Sequence, residues 1–252
     1  MKTPEHPLVP RVLAEGSVLF VLVLWWAASL RMPAFVLPSP GDVGRAMLSL
    51  FVNPDFNKHV AASVLRLMFA IALAMMLGGA LAQLARSFGF LEWVVMRRIL
   101  PFLNSFPSMG WAVLAVLWFG VSTTGVVFVE VAILLPFALI NLAAGLQEID
   151  SEIVEMGRSF TRSRWRALTR IYLPLLMPYI VATLRMSYGI GWKIALVAEL
   201  FGAEEGLGFL MVRAQYNGQS DTVFATCLTI VLIFIVGEKL LIDPLARRFG
   251  QA

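Results

Sequence analysis

VEMGRSFTRSRWRALTRIYLPLL, residues 154–176, is the longest charged segment in a chain that is otherwise mostly apolar. Five arginines (Arg158, Arg162, Arg164, Arg166 and Arg170) crowd into it, and Leu173-Pro174 then opens a new apolar run. The chain has 252 residues, of which 59% are hydrophobic and 14% charged, with a mean hydropathy of +0.81. A soluble domain carries about 45–50% apolar and about 25% charged residues. The apolar excess is too large for one buried core, so the composition reads as a polytopic membrane protein forming a single transmembrane domain over 1–252. The net charge of +4 matters less than where the charges lie, and it is not read as a nucleic-acid signal.

The lone Cys227 excludes an internal disulfide framework and a cysteine metal cluster. His6 and His59 stand far apart and no H-E-x-x-H occurs, so no metal site is expected. The first apolar run has no convincing small-residue cleavage site after LWWAASLRMPAF and is kept as a span.

A helix needs about 20 mostly apolar residues to cross about 30 Å of hydrocarbon. Six runs qualify, near 12–31, 60–85, 99–119, 122–146, 175–200 and 222–243. Backbone groups in lipid must be satisfied within the segment, so all six are expected as helices. Orientation follows from lysine and arginine asymmetry. With both termini cytoplasmic, 13 of the 20 basic residues fall on or near the inner side, including all five loop arginines. The segment between spans four and five, 147–174, then lies inside the cell.

Plotted as one helix over 153–171, this segment has an apolar stripe of Ile153, Met156, Phe160, Leu168 and Ile171. Arg158, Arg162, Arg166 and Arg170 follow at i+4 on another face. A break near Ser159–Arg164 is expected, as are a cap from Asp150 or Ser151 and a favourable Glu152 in the first turn. Composition leaves three readings open: enforcement of topology, a membrane-surface helix, and docking to a cytoplasmic partner.

The order of motifs resembles that of ABC importer permeases of the nitrate/sulfonate/taurine type. Their cytoplasmic signature runs Glu-Ala-Ala, three residues, Gly, nine residues, Ile, one residue, Leu-Pro. Aligned on Ile171, Leu173 and Pro174, this chain has Glu155-Met156-Gly157 for Glu-Ala-Ala and Thr161 for the Gly, so both alanines and the glycine depart. FVLPSPGDV (35–43), FPSMGWAVLAVLWFG (106–120), VAELFGAEEGLGFL (197–210) and DPLARR (243–248) are similar to further family segments in the same order.

The resemblance implies an all-α, six-span type I importer permease in the bacterial cytoplasmic membrane. It implies two ATP-binding partner subunits, a second permease copy as a homodimer, and an extracytoplasmic solute-binding protein. It also implies a coupling helix carried here by Glu152, Glu155, Met156, Gly157, Arg158, Phe160 and Thr161. No G-x-x-x-x-G-K-[ST] loop is present, so no cofactor is expected on this chain, and ATP and Mg belong on the partner ATPase. Thr161, β-branched and ill suited to positive φ, is expected at φ < 0 as the N-cap of a second short helix.

Ionisable residues inside spans cost about 2.5–3.5 kcal/mol each and usually pair or line a path. Glu130 and Lys193 lie at comparable depth and are expected to face the interior as an ion pair, with Lys193 also a candidate for attracting an anion. Asn104, Ser105, Ser108, Thr183, Tyr188, Trp192 and Lys193 are the candidates for a translocation pathway. Glu199 is expected to brace FGAEEGLGF, Arg185 to serve a gate or an inner-leaflet contact, and Arg66 to be interfacial. The rival to an ATP-driven importer of a small anionic solute is an ion-gradient-driven secondary transporter. That rival calls for mid-membrane carboxylates and inverted repeats, and neither is clear in the sequence. An intramembrane enzyme lacks a His pair, a mid-span Asp and a G-x-S-x-G.

Overall fold

The computed structural model describes residues 8–149, 152, 155, 156, 159 and 163–249. Described in chain order, the helices are α1 (Leu8–Ser29), α2 (Pro40–Val52), α3 (Pro54–Ser87), α4 (Gly89–Ser105), α5 (Ser108–Phe119), α6 (Thr123–Gln147), α7 (Trp165–Gly202), α8 (Leu207–Tyr216) and α9 (Ser220–Phe249). No strand occurs among the described residues. Helices α3, α6, α7 and α9 are each long and apolar enough to cross a membrane unbroken, and α1 is apolar over Gly16–Ser29. Helix α3 has 34 residues, about 51 Å at 1.5 Å per residue, so it is longer than the hydrocarbon core.

The run 99–119, expected as one straight helix, is instead two helices, α4 and α5, bent by 87° at Phe106-Pro107. The cause is local. A residue before proline is pushed out of the α region, and Phe106 sits at φ −76, ψ 127. Pro107, at φ −61, ψ 135, is the N-cap of α5 and donates no N–H.

The chain divides into two compact units. One comprises α1, α2 and Leu210–Thr229. Its apolar centre is Val43, Ala46 and Ala225, with Trp25, Met47, Leu50 and Phe224 packed around it. Pro40 opens α2 at its first turn, where the missing N–H costs nothing, and the Ser39 hydroxyl accepts from Asp42 N–H to cap it. Trp25 Nε1 donates to the Pro38 carbonyl at 3.0 Å, and Ser220 Oγ donates to the Phe35 carbonyl at 2.5 Å. The turn after α1 is thereby held at two points.

The other unit comprises Lys58–Phe209 and the chain from Ile230 onward. Helices α3, α6 and α7 form its centre. Leu67, Ala70, Ala74, Leu134, Ala138 and Leu139 are all fully buried there. With no hydrophobic drive between helices in lipid, association rests on close packing, which small residues permit. Gly191 shows this directly: a Cβ there would lie 2.6 Å from Leu67 Cδ1. Nearer the end of α6, a second apolar cluster joins Ala82, Ala85, Val95, Leu142, Leu146 and Ile149 with Tyr172, Leu175 and Leu176. Arg86 Nη1 donates to the Leu146 carbonyl beside it.

Candidate functional site

At the C-terminal end of α7 a charged cluster is buried. Glu199 is 1% exposed and Arg66, from α3, is 8% exposed. Ser63 Oγ lies 2.7 and 2.8 Å from the two Glu199 oxygens and donates to the carboxylate, and Gly208 N–H donates to Oε2 at 2.9 Å. Arg66 Nη1 stands 3.4 Å from Glu199 Oε1 and donates to the Glu205 carbonyl at 2.7 Å. Its Nε and Nη2 reach Thr123 Oγ1 at 3.2 and 2.9 Å. Leu207 N–H donates to Ser63 Oγ, and Gly206 N–H to His59 Nδ1 at 3.0 Å. Burying a carboxylate is tolerable only with such pairing and hydrogen bonding.

The sequence makes this arrangement possible through Gly206 and Gly208. Gly206 has φ +123, a conformation L side chains rarely adopt, and a Cβ there would run into the Glu199 carboxylate. A Cβ at Gly208 would lie 2.7 Å from the Leu196 carbonyl oxygen. The expected bracing role of Glu199 is thus visible atom by atom. The interfacial placement expected for Arg66 is corrected: it is a buried partner of Glu199. Its neighbours Ser63 and Arg66 recur at i+3 on α3, which aims both at α7.

The expected Glu130–Lys193 pair is also corrected. Glu130 is wholly buried, and neither carboxylate oxygen has a hydrogen-bond partner among the described residues. Lys193 is exposed. Glu130 is buried on α6, whereas Lys193 lies on the exposed side of α7. Gly191, Ile194 and Ala195 form its buried side, and Lys193 projects 200° from Gly191 at 100° per residue.

The pathway candidates divide in the same way. Thr183, Tyr188 and Trp192 turn into the packing. Thr183 is fully buried and donates to the Tyr179 carbonyl, and Tyr188 stacks on Phe234 with ring centroids 5.4 Å apart. Trp192 stands edge-on to Tyr188. Lys193 belongs instead to an uncovered stripe on α7 with Ala182, Arg185 and Met186, all exposed. Asn141 of α6 borders it, with Nδ2 3.5 Å from Met186 Sδ. Asn104, Ser105 and Ser108 are exposed at the α4–α5 bend.

Arg185, the inner-gate candidate, lies 3.2 Å from Glu238 and 3.5 Å from Asp243 and is half exposed. Such partly exposed pairs contribute little stability, though two carboxylates fix the direction of the guanidinium.

Of the coupling residues, Gly157, Arg158, Phe160 and Thr161 lie outside the described residues, as do the caps expected from Asp150 and Ser151. Glu152, Glu155, Met156 and Ser159 are helical, and Ser163 is not. The segment is therefore interrupted, as the expected break requires. The N-cap of the following helix is Ser163: its Oγ accepts from Arg166 N–H at 3.4 Å and its carbonyl from Ala167 N–H at 3.0 Å. The N-cap expected at Thr161 falls on a residue outside those described. Met156 is 61% and Trp165 72% exposed. Two large apolar side chains therefore stand uncovered on a segment rich in arginine.

A bundle of apolar helices with an interrupted basic segment between two of them and one broken helix defines a multi-pass membrane protein, and comparison with known proteins gives its class. The family model described as "Binding-protein-dependent transport system inner membrane component" matches residues 74–249, and the chain belongs to that family. It is 29% identical over 237 residues to the taurine transport system permease protein TauC of Escherichia coli K12, covering 90% of this chain and 84% of that one. It is 25% identical to the nitrate import permease protein NrtB of Synechocystis, covering 93% and 86%. Among solved structures, a bacterial alginate ABC transporter in complex with an alginate pentasaccharide-bound periplasmic protein contains a chain of the same fold. The TM-score is 0.65 at 14% identity, covering 97% of both chains. The protein is an ABC importer permease with the type I importer fold. It is a multi-pass membrane subunit whose system includes an ATPase and a solute-binding component, and ATP hydrolysis lies on the separate subunit.

Proposed function

We propose that this chain forms, as a homodimer in a bacterial cytoplasmic membrane, the translocation pathway for a small anionic solute. Both termini face the cytoplasm and the chain crosses six times, the α4–α5 pair making one crossing in two halves. Two ATP-binding subunits bind ATP and Mg, and this chain binds no cofactor. Gly157, Arg158, Phe160 and Thr161, with Glu152, Glu155 and Met156, seat against those subunits. Met156 and Trp165 suit such a contact because they are large, apolar and uncovered. ATP binding draws the subunits together and shifts the coupling segments, and a binding protein delivers solute to the opened outer side.

The observation that carries this reading is the uncovered α7 stripe. Lys193 lies nine residues before Gly202, about 14 Å into the helix, and no acid pairs with it among the described residues. A cation at that depth is costly against lipid and belongs on a water-filled path. A second copy facing this stripe encloses such a path, with two Lys193 ammonium groups to attract an anion. TauC and NrtB are named for taurine and nitrate, which fits this solute class. The test is uptake of labelled taurine and labelled nitrate by vesicles holding the full complex. Lys193→Met is expected to cut uptake of the transported anion about tenfold while leaving permease abundance and ATPase capture intact. Equal loss of protein and uptake would instead make Lys193 a packing residue.

A further inference from the structure

Three helices change pitch at closely similar places. Val95–Ile99 in α4, Leu168–Tyr172 in α7 and Glu238–Ile242 in α9 are π-helical turns. In each case a proline follows two residues later, at Pro101, Pro174 and Pro244. The residue just before proline donates five residues back: Leu100 N–H to the Val95 carbonyl, and Asp243 N–H to the Glu238 carbonyl. Proline has no N–H, and its ring presses on the carbonyl four residues earlier. A wide turn ahead of it carries one extra residue and relieves that pressure. Proline alone is not sufficient, since Pro136 and Pro178 lie inside regular α-helix.

The three turns are linked through α7. Val95 and Met96 from the first, with Leu100 just beyond it, share one apolar cluster with Tyr172 from the second and Leu175 just beyond that. Arg185 of α7 reaches Glu238 within the third and Asp243 immediately after it. The second turn also begins one residue after the four-residue helix that Ser163 caps. It therefore joins the interrupted cytoplasmic segment to the spanning part of α7. Sliding one extra residue through a helix rotates what lies beyond by about 100°, so a π turn is a place where helix direction changes without breaking the chain. Mid-helix departures from the α pitch mark functional hinges elsewhere.

We propose that Pro174, with Pro101 and Pro244, are positioning residues of the transport cycle. They hold the inner ends of α7, α4 and α9 in wide turns, and these turns pivot when the cytoplasmic segment is pulled. The inference rests on the coupling reading above. It adds that the pull reaches the spans by bending at 168–174, with matched bending at 95–101 and 238–244, and not as a rigid push along α7.

The test is hydrogen exchange on the chain in lipid vesicles with the ATP-hydrolysing subunits that it captures, with and without a non-hydrolysable ATP analogue. In the wild type, the analogue is expected to change exchange at 95–100, 168–173 and 238–243 and to leave 186–198 unchanged. Pro174→Ala is expected to keep capture and ATP turnover but lose the response at 168–173, while Pro178→Ala behaves as wild type. A Pro174→Ala chain with the full nucleotide response overturns the proposal. Should that variant not assemble, the wild type decides, because captured subunits with silent turns refute the hinge alone. No captured ATP-hydrolysing subunit at all removes the coupling reading and the hinge with it.

Discussion

Replacing Arg66 by Met removes the only guanidinium, among the described residues, on a carboxylate that is 1% exposed. Glu199 then keeps the Ser63 hydroxyl and Gly208 N–H, while Thr123 and the Glu205 carbonyl lose their donor. Breaking a buried pair by deleting one partner costs about 3–5 kcal/mol, because the remaining charge is left uncompensated. The ion contact is long at 3.4 Å and two other donors stay in place, which sets the expected loss at the lower end, about 3 kcal/mol. At about 2–4 °C per kcal/mol for a chain of this size, Arg66→Met should lower the midpoint of thermal unfolding by about 6–12 °C. Removing both charges is a different perturbation: Arg66→Met with Glu199→Gln should recover at least half of the loss, since neighbouring partners do not add. The assay is thermal unfolding of the four members of this cycle in one detergent, read by intrinsic fluorescence. If Arg66→Met melts within about 2 °C of wild type, or if the two changes are additive, the buried-pair argument is wrong.

Gly206→Ala should be more damaging than its size suggests. It places a side chain at φ +123 and against the Glu199 carboxylate, and the backbone strain alone costs about 1–3 kcal/mol; recovery of monodisperse protein on size exclusion is the measure. Asp42 supplies a pH test outside the spans. The Ser39 hydroxyl chiefly, then Arg45, holds its carboxyl below the ordinary 3.8 against a smaller desolvation effect. A carboxyl depressed on folding stabilises above its unfolded value and loses that contribution as pH falls through the folded one. The protection of amides at the start of α2, taken relative to the intrinsic exchange rate at each pH, should therefore fall below about pH 4, and Asp42→Asn should flatten that dependence.

The apolar runs were legible because span length is set by membrane thickness: α3, α7 and α9 contain the runs 60–85, 175–200 and 222–243, and α6 covers 122–146 but for its first residue. The bend in the third run was signalled by Pro107 but not its size, which depends on Phe106 leaving the α region. Arg66 was misread because an arginine near a span end looks the same whether it meets headgroups or a buried acid. Only the acid's position, 133 residues away in sequence, distinguishes them. Glu130 and Lys193 failed as a pair because equal depth says nothing about azimuth. Ser163 caps the short helix that it directly precedes, a role its small hydroxyl side chain suits.

The Gly206–Gly208 turn is fastened to α3 by Arg66 and Ser63, to α6 through the Thr123 hydroxyl that Arg66 grips, and to α7 by Glu199. A load applied to that turn has no slack segment in which to dissipate, so it is shared among three spanning rods at once. A single altered side chain in the knot therefore loosens ties to all three at once.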